Sequence, residues 1–468
     1  MPELHDLTAV QQLDRLQAGD LEPIDLVEHY LSRIDRLDSG IGAFVTVTPD
    51  AARAAARTIA AGARWGPLHG LPFADKDLVP RAGVPTRFGS RLFVDHMPDV
   101  TGDQAAVWDE AGAISLGKTA TPEFGLTGYT ETLIGPPTRD PWDARNGAGG
   151  SSGGAAAAVA AGLLPIAPAS DGGGSIRIPA ATVGVIGLKP SRGRVPFATG
   201  LDGPAGLVVA GPIARTVEDA ALALEVMVAG RPYRHATGAP GPTAFLQAAR
   251  AGTARVRVGV TTVSPWDDDE DIRLDRDAAA AVDVASALLS DAGNAVEALT
   301  WHPRGYAEMF RTIWRASAAR VAVSEVDLAR VEGITAWLVR EGRGLGAESV
   351  LGALAAATEF ERQTIAAFSS FDVVLTPALA ETPRPVGWFD ADDALENFAQ
   401  QVRYAPYSSF VNVAGLPALT LPVTTAADGH PVSVQLIGRP GAEATILAVA
   451  AELERRAGID VRPPVWTR

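Results

Sequence analysis

The most constraining feature of this 468-residue sequence is a pair of glycine-dense turns that each carry a serine. The first is the run Gly149–Gly154, which contains Ser151, and the second is the run Gly172–Ser175. Glycine removes side chains from a turn, so backbone N–H groups can point at a ligand and a neighbouring hydroxyl can be approached closely. Two such turns, separated by an apolar segment rich in alanine and glycine, favour an acyl-transfer site.

The second turn combines a hydroxyl group with a row of backbone amides. We expect the amides of Gly172, Gly173, Gly174 and Ser175 to form an oxyanion hole beside the Ser175 hydroxyl. A plain glycine-rich turn is the alternative, because serine is a poor nucleophile without a base. A phosphate-binding P-loop is disfavoured, since no Gly-Lys-Ser or Gly-Lys-Thr ending follows the glycines.

The first turn allows a rival mechanism. Gly149, Ser151 and Gly153 match the Gly-x-Ser-x-Gly nucleophile elbow of α/β-hydrolases, with His302 or His430 as the base. That mechanism also needs an oxyanion loop, and the sequence contains no His-Gly-Gly stretch. The short match arises within a run of glycine and serine, so we regard it as the weaker hypothesis.

Lys76 is the candidate base. It lies between Asp75 and Asp77 at the end of an apolar segment, where a solvated charge cluster is the ordinary interpretation. In a strand, however, Lys76 would face away from both aspartates. Burial would then lower its pKa and make it a usable base, whereas a salt bridge to either aspartate would do the reverse.

Composition excludes several classes of function. A formal net charge of -15 argues against nucleic acid and anionic membranes as partners, and the absence of cysteine excludes thiol nucleophiles and disulfides. The seven histidines form no metal-ligand pair at helical spacing, so we expect no metal site. The N-terminus lacks the charged and apolar regions of a signal peptide, and we expect a cytoplasmic protein.

Secondary-structure patterns alternate along the chain. Apolar spacing predicts helix within Leu7–Leu37 and through most of Trp301–Phe368, whereas Leu71–Ala74 and Phe371–Leu375 are typical of buried strands. Strands and helices mix throughout and no repeat appears, so the predicted class is α/β with a mixed sheet.

Together these motifs make the sequence similar to the amidase signature family. The resemblance covers nearly the whole chain and is weakest between Trp301 and Phe368. It is carried by the following segments: Gly66–Phe73 leading into Lys76-Asp77, Gly149–Gly154, Asp171–Ala180, Gly187–Pro190, Gly211–Val217, Asn412–Ala418 and Val434–Gly438.

The resemblance implies a Ser–cisSer–Lys triad. Ser175 would be the nucleophile, Ser151 the bridging serine after a cis peptide, and Lys76 the neutral base, with no cofactor. The implied fold is a single-domain α/β/α sandwich around a large mixed, twisted sheet. We therefore expect one amidase signature domain over residues 1–468, with its catalytic core at 62–216 and a variable, specificity-determining region at 301–368.

Within the family, three segments look most like the stand-alone branch near the aminohexanoate cyclic-dimer hydrolases, which act on nylon oligomers: Thr121–Gly125, Arg139–Trp142 and Arg462–Pro464. The alternative is the glutaminase subunit of glutamyl-tRNA amidotransferase, whose usual Ala-Ser-Ser-Asn-Leu-Ala-Arg-Tyr-like run is missing from Ala316–Arg330. A catalytically inactive binding protein is disfavoured, since all three triad residues are present.

The substrate is expected to be a small, modestly hydrophobic amide, anilide or carbamate. We expect substrate contacts at Gly125, Tyr129 and Gly150, and an aromatic pocket that draws on Trp301, Phe310, Trp314, Trp337 and Tyr129. The protein is expected to act without nucleic acid, membrane or partner subunit, as a monomer or homodimer.

Overall fold

The computed structural model describes residues 3–62, 66–195, 203, 205–229, 244–252 and 255–467. In this part of the chain the strands are β1 (Phe44–Val47), β2 (Pro72–Lys76), β3 (Ile114–Thr119), β4 (Ile166–Asp171), β5 (Ile186–Lys189), β6 (Val209–Ala214), β7 (Arg257–Val260), β8 (Ala295–Ala298), β9 (Val373–Pro377), β10 (Ala418–Thr425) and β11 (Pro431–Gly438).

Eight strands form one mixed sheet in the order β4-β6-β5-β10-β11-β9-β7-β8, and the other three form a small sheet in the order β1-β3-β2. In the large sheet the pairs from β4 to β9 are antiparallel, whereas β7 pairs in parallel with both β9 and β8. In the small sheet β2 is parallel to β3 and β1 is antiparallel to it. The predicted large mixed sheet is therefore confirmed.

The large sheet is covered on both faces. Successive side chains of a strand point to opposite faces, and in β9 Val373 and Leu375 belong to one apolar core while Val374 belongs to another. The same division separates Leu436 from Ile437 in β11. Two cores on opposite faces of one sheet confirm the α/β/α sandwich.

The helices of the described part of the chain surround these cores. They are α1 (Ala9–Ala18), α2 (Pro23–Leu37), α3 (Pro49–Ala61), α4 (Asp103–Glu110), α5 (Gly153–Ala160), α6 (Arg177–Val183), α7 (Val217–Ala229), α8 (Phe245–Ala251), α9 (Arg276–Asp291), α10 (Tyr306–Ala318), α11 (Gly333–Arg343), α12 (Ala347–Phe368), α13 (Ala394–Tyr404), α14 (Ser409–Val413) and α15 (Glu443–Ala457). Within the described ranges, no helix is both long enough and apolar enough to cross a membrane.

The helical pattern within Leu7–Leu37 is two helices rather than one. α1 ends at Gly19, which adopts a left-handed conformation at φ 76° and closes the last turn. α2 then begins at Pro23, whose fixed φ suits the first turn of a helix. The mostly helical prediction for Trp301–Phe368 is confirmed by α10, α11 and α12.

α5 follows the first serine turn and is buried along its whole length, because it consists only of glycine, alanine and one valine. Small residues let neighbouring backbone come close. A Cβ atom at Gly154 would lie 2.3 Å from the amide nitrogen of Ala120 and 2.5 Å from the carbonyl oxygen of Ala43. The small-residue helix therefore packs directly against the small sheet that carries β2.

Gly154→Ala should lower the stability of the protein, because the backbone of Ala43 and Ala120 cannot move aside as a flexible side chain would. We expect a loss of about 1–3 kcal/mol, as for overpacked cores, in urea denaturation followed by circular dichroism. Gly352→Ala is the matched control: Gly352 lies in α12 and a Cβ there meets nothing within 4 Å. The control should be neutral or stabilising by up to about 1 kcal/mol, and equal losses in both variants would contradict the close packing.

Candidate active site

Strand β2 carries Lys76 into the interior at its last residue. The strand alternates as expected, because the two flanking aspartates face other cations. Asp75 accepts a hydrogen bond from Arg81 Nε at 2.6 Å, and an Asp77 oxygen lies 3.7 Å from Lys118 Nζ. In the described part of the chain no carboxylate forms an ion pair with Lys76, so the predicted separation of the lysine from its neighbouring aspartates is confirmed.

The Lys76 ammonium contacts serine groups instead. Its Nζ donates to Ser151 Oγ at 2.7 Å and lies 3.3 Å from Ser170 Oγ. Lys76 is 1% exposed. Burial lowers the pKa of Lys76 to about 7, against an opposing effect of the Asp171 charge. A large fraction of the lysine is therefore neutral near pH 7 and able to accept a proton.

Ser151 follows a cis peptide bond after Gly150. Ser175 lies in the second glycine turn, and its carbonyl oxygen accepts the Ser152 N–H at 3.1 Å, which joins the two turns. Ser151 and Ser175 line the same cavity. The structure thus brings together the three side chains that the sequence separates by 24 and 75 positions.

Asp171, the last residue of β4, shapes the Ser175 turn. One carboxylate oxygen accepts the Gly174 N–H at 2.7 Å and the other accepts the Ile176 N–H at 3.1 Å. Gly174 has a φ of 135°, which only glycine adopts easily, and a Cβ there would lie 2.3 Å from Ser408 Oγ. The turn that carries Ser175 is therefore held in a defined conformation.

A buried ion pair supports this carboxylate. Arg177 donates through Nε to Asp171 Oδ2 at 3.0 Å and through Nη2 to Asp171 Oδ1 at 3.0 Å. Burial alone would raise the pKa of Asp171, but the Arg177 guanidinium more than offsets this and holds it well below its usual range. The guanidinium also donates to Asn412 and Gln435. Sequence reasoning identified the segments around these two residues but not their contacts.

The predicted oxyanion hole changes in one member. The Gly174 amide is already engaged by Asp171, because the carboxylate lies directly inside the turn. The amides of Gly172, Gly173 and Ser175 have no hydrogen-bond acceptor among the described residues. These three N–H groups are the donors that a developing oxyanion could use.

A cavity of about 330 Å³, here called the large lobe, opens at Ser175. A second cavity of about 70 Å³, the small lobe, reaches the same serine from another side. Both lobes are bordered by Leu126, Ser175 and Trp314. The large lobe is further lined by Phe88, Phe93, Phe124, Gly125, Ser151, Ser170, Gly172, Gly203, Ala205, Leu207, Val208, Ser317, Arg320, Val321 and Ala322. The small lobe is further lined by Thr127, Gly128, Gly173, Trp266, Phe310, Phe398, Gln401, Val402, Ala405 and Ser409.

The expected substrate contacts divide. Gly125 borders the large lobe, and a Cβ there would lie 3.4 Å from Ser151 Oγ. Tyr129 does not border either lobe: its ring stacks on Phe389 at a centroid distance of 4.2 Å, and its hydroxyl accepts a hydrogen bond from Asn397. Gly150 also lies outside both linings, and its missing Cβ admits the Tyr129 backbone. Tyr129 and Gly150 are therefore placed behind the site.

The predicted aromatic pocket draws on other residues than expected. Trp314 and Phe310, which stack at a centroid distance of 5.6 Å, do border the cavity. Trp301 is instead part of the core, against Phe410, and Trp337 packs beside Arg315. The large lobe takes its other aromatic rings from Phe88, Phe93 and Phe124. These three positions have no aromatic periodicity in the sequence that could have revealed them.

Neither histidine of the rival mechanism is placed as a base. His430 lies 2.7 Å from Asp140 through Nε2 and 2.9 Å from the Pro431 carbonyl through Nδ1, and it borders a different cavity. His302 is exposed. The geometry therefore favours Lys76 over a histidine as the partner of Ser151.

One group of potential metal ligands was not visible as a sequence pattern. Glu3, His5 and His29 place ligand atoms within 4.8 Å of one another. Burial and then the Arg33 charge lower the pKa of His5 to about 4. The same positive charge would oppose a bound cation, and this group lines a cavity separate from the two lobes.

Comparison with known proteins gives a consistent family. Residues 25–447 match the family model described as Amidase. AmiB2 of Mycobacterium tuberculosis is 38% identical over 455 residues, which cover 95% of either chain. An acylamidase of Rhodococcus erythropolis is 34% identical and covers 98% of each chain, and a subunit of the glutamyl-tRNA(Gln) amidotransferase of Chloroflexus aggregans is also 34% identical over the full length of both. The solved 6-aminohexanoate cyclic dimer hydrolase superposes with a TM-score of 0.90 at 27% identity, over 99% of this chain and all of that one.

This chain therefore belongs to the amidase family, in the amidase signature fold. Its class is that of hydrolases that act on amides.

Arg177→Met should destabilise the protein and abolish its activity, because it leaves the Asp171 carboxylate buried beside the Ser175 turn without its cation. Removing one partner of a buried pair costs about 3–5 kcal/mol, which chemical denaturation would measure. The matched control is Arg145→Met, since Arg145 pairs with Asp143 at the surface. The control should behave as the parent protein; an unfolding midpoint for Arg177→Met equal to that of the control would contradict the role of the buried pair.

Proposed function

We propose that this protein is a stand-alone hydrolase that cleaves the C–N bond of a carboxamide, anilide or carbamate through an acyl-enzyme on Ser175. The observation that carries the proposal is the contact of 2.7 Å between Ser151 Oγ and the buried Lys76 Nζ, beside Ser175 in one cavity. A lysine with a pKa of about 7 and no carboxylate partner in the described residues suits general base catalysis at neutral pH. The triad Ser175, Ser151 and Lys76 is thus part of the proposal.

In the attack step, Ser175 Oγ forms a bond to the substrate carbonyl carbon. The Ser175 proton passes to Ser151 Oγ, and the Ser151 proton passes to the neutral Lys76 amine. The negative charge on the carbonyl oxygen is stabilised by the free amides of Gly172, Gly173 and Ser175. Such preorganised donors contribute about 2.7–4 kcal/mol each to transition-state stabilisation.

In the collapse step, the C–N bond breaks and the proton returns along the same path. Lys76 protonates Ser151 Oγ, while the former Ser151 proton goes to the leaving nitrogen. Water then attacks the acyl-enzyme with the same base and releases the acid, or carbamic acid in the case of a carbamate. Every proton taken up by Lys76 in one step is returned in the next.

The division of the chain follows from the same proposal. The triad and its amides fall within residues 62–216, which would form the catalytic core. Residues 301–368 would adjust specificity, because Trp314, Ser317 and Val321 of this region border the large lobe. Nylon-type oligomers and urethanes are candidate substrates alongside anilides, and the acyl-transfer chemistry itself would need no metal or cofactor.

The alternative is the glutaminase subunit of a glutamyl-tRNA amidotransferase, in which the same site would release ammonia from glutamine for a partner protein. The equal identity to one subunit of such an enzyme keeps this alternative open. Against it stands the segment Ala316–Arg330, which lacks the run usual in the glutaminase subunit. A net charge of -15 also disfavours a complex with tRNA.

The purified chain should hydrolyse at least one of the aryl amides, aliphatic amides, urethanes or nylon oligomers in plain buffer. Ser175→Ala should reduce that activity below about 1%, since loss of a covalent nucleophile can cost roughly a million-fold. Lys76→Met, which keeps the chain length but removes the base, should be nearly as inactive. His302→Ala should retain full activity, and thermal melts should show that all variants fold.

Two results would overturn the proposal. An inactive His302→Ala with an active Lys76→Met would favour the histidine-dependent mechanism. A parent protein that stays inert on the whole panel, but releases ammonia from glutamine once a partner protein is added, would favour the transferase alternative.

The rate should rise with pH as Lys76 loses its proton. With a pKa of about 7, the neutral fraction and hence kcat/KM should increase about tenfold between pH 6 and pH 8 and then level off. Initial rates on a substrate that does not titrate in this range would give the profile. A rate that falls steadily between about pH 6 and 9 would contradict the assignment.

A second buried lysine provides the control for this profile. Burial, followed by the positive charge of Arg177, lowers the pKa of Lys189 to about 7, although its Nζ donates to the Pro190 carbonyl and it borders neither lobe. Lys189→Met should therefore keep the midpoint, whereas the residual activity of Lys76→Met should lose the dependence.

A further inference from the structure

The site has two lobes of unequal size on either side of the reactive serine. The large lobe has a volume of about 330 Å³ and the small lobe about 70 Å³, and Ser175 borders both. An amide carries one substituent on its carbonyl carbon and another on its nitrogen. Two lobes that meet at the nucleophile can therefore receive these two substituents separately.

The position of the proton donor indicates which lobe receives the amine. Under the proposed function, Ser151 must protonate the leaving nitrogen at the moment when the C–N bond breaks. Ser151 Oγ is held by Lys76, and Ser151 borders the large lobe but is absent from the described lining of the small lobe. A nitrogen within reach of Ser151 therefore directs its substituent into the large lobe.

The acyl substituent is then directed to the other side. The tetrahedral carbon carries Ser175 Oγ, the oxyanion, the nitrogen and the acyl carbon. Once the oxyanion faces the glycine turn and the nitrogen faces Ser151, the remaining bond points away from the large lobe. The small lobe lies on that side of Ser175, and Gly173 of the glycine turn forms part of its wall.

The wall chemistry of the small lobe favours an uncharged acyl group. Its rings come from Trp266, Phe310, Trp314 and Phe398. Its polar side chains already have partners: Gln401 Oε1 accepts the Gly128 N–H at 2.7 Å, and Ser409 Oγ accepts the Tyr306 hydroxyl at 2.8 Å. The described lining contains no cationic side chain that could bind a carboxylate on the acyl group.

The large lobe favours a bulky, apolar amine. Phe88, Phe93, Phe124 and Trp314 supply four aromatic rings around it. Aromatic rings bind flat aryl groups by offset or edge-to-face contacts, in addition to the gain from burying apolar surface. The lobe also has nearly five times the volume of the other one.

We propose that the small lobe binds the acyl substituent and the large lobe the amine, so that the preferred substrates are amides of a short, uncharged acyl group with a bulky apolar amine. This assignment rests on the proposed function. It distinguishes this site from one that accepts long acyl chains or charged oligomer ends, because such groups would have to occupy the small lobe.

The test uses two series of substrates with the purified full-length protein. The first keeps 4-nitroaniline as the amine and varies the acyl group from acetyl to butyryl, hexanoyl and benzoyl. The second keeps acetyl and varies the amine from methylamine to aniline and 1-naphthylamine. We expect kcat/KM to fall at least tenfold from acetyl to hexanoyl, and KM to fall at least tenfold from methylamine to 1-naphthylamine.

The outcomes separate the two proposals. Hydrolysis that requires Ser175 but improves with acyl length and worsens with amine size would overturn the lobe assignment alone. Hydrolysis that is equally fast for all acyl lengths would also overturn it. An inert parent protein on both series would overturn the assignment together with the proposed function.

Two matched phenylalanine variants assign the effect to the lobes. Phe398 borders only the small lobe and Phe93 only the large lobe, and both side chains are half-buried. Phe398→Ala should raise the hexanoyl-to-acetyl ratio of kcat/KM at least tenfold, whereas Phe93→Ala should leave that ratio unchanged and weaken the preference for 1-naphthylamine. The reverse pattern would place the acyl group in the large lobe, and thermal melts would verify that both variants fold.

Discussion

The buried ion pair between Asp171 and Arg177 is the interaction on which the rest of the site depends. Asp171 ends a central strand, and its carboxylate fixes the Gly174 and Ile176 amides, so the conformation of the Ser175 turn follows from it. Arg177 neutralises this buried charge and extends the network to Asn412 and Gln435, which lie 235 and 258 positions further along the chain. Distant segments are thereby joined around one carboxylate, which is why they must fold together.

The same pair affects the chemistry of the lysine. An isolated Asp171 carboxylate would favour the charged form of Lys76 and raise its pKa. Because Arg177 balances that charge, burial becomes the dominant influence, and the pKa of Lys76 falls to about 7. The flanking aspartates do not interfere, since Arg81 and Lys118 pair with Asp75 and Asp77 on the opposite face of β2. A neutral lysine at physiological pH is thus a property of the whole charge arrangement.

The lobes show how the variable part of the chain acts on a fixed reaction centre. The glycine turn presents its amides from the central sheet, while α10 lays Phe310 and Trp314 across the Gly172–Gly173 segment, with closest approaches of 3.4–3.5 Å to the positions that glycine Cβ atoms would take. Trp314 borders both lobes. A change in this helix would therefore alter the volume available to either substituent without displacing the serine, the lysine or the amides.

The sequence by itself determined the reaction centre and the fold class, because both depend on local constraints. Glycine-dense turns are legible wherever they occur, strand alternation placed Lys76 opposite its aspartates, and apolar periodicity located the helices of Trp301–Phe368. Tertiary structure alone decided which side chains meet across the chain. It engaged the Gly174 amide with Asp171, turned Tyr129 onto Phe389, and brought Phe88, Phe93 and Phe124 to the cavity. These outcomes depend on contacts between distant segments, and packing and hydrogen bonding select such contacts only after the chain has folded.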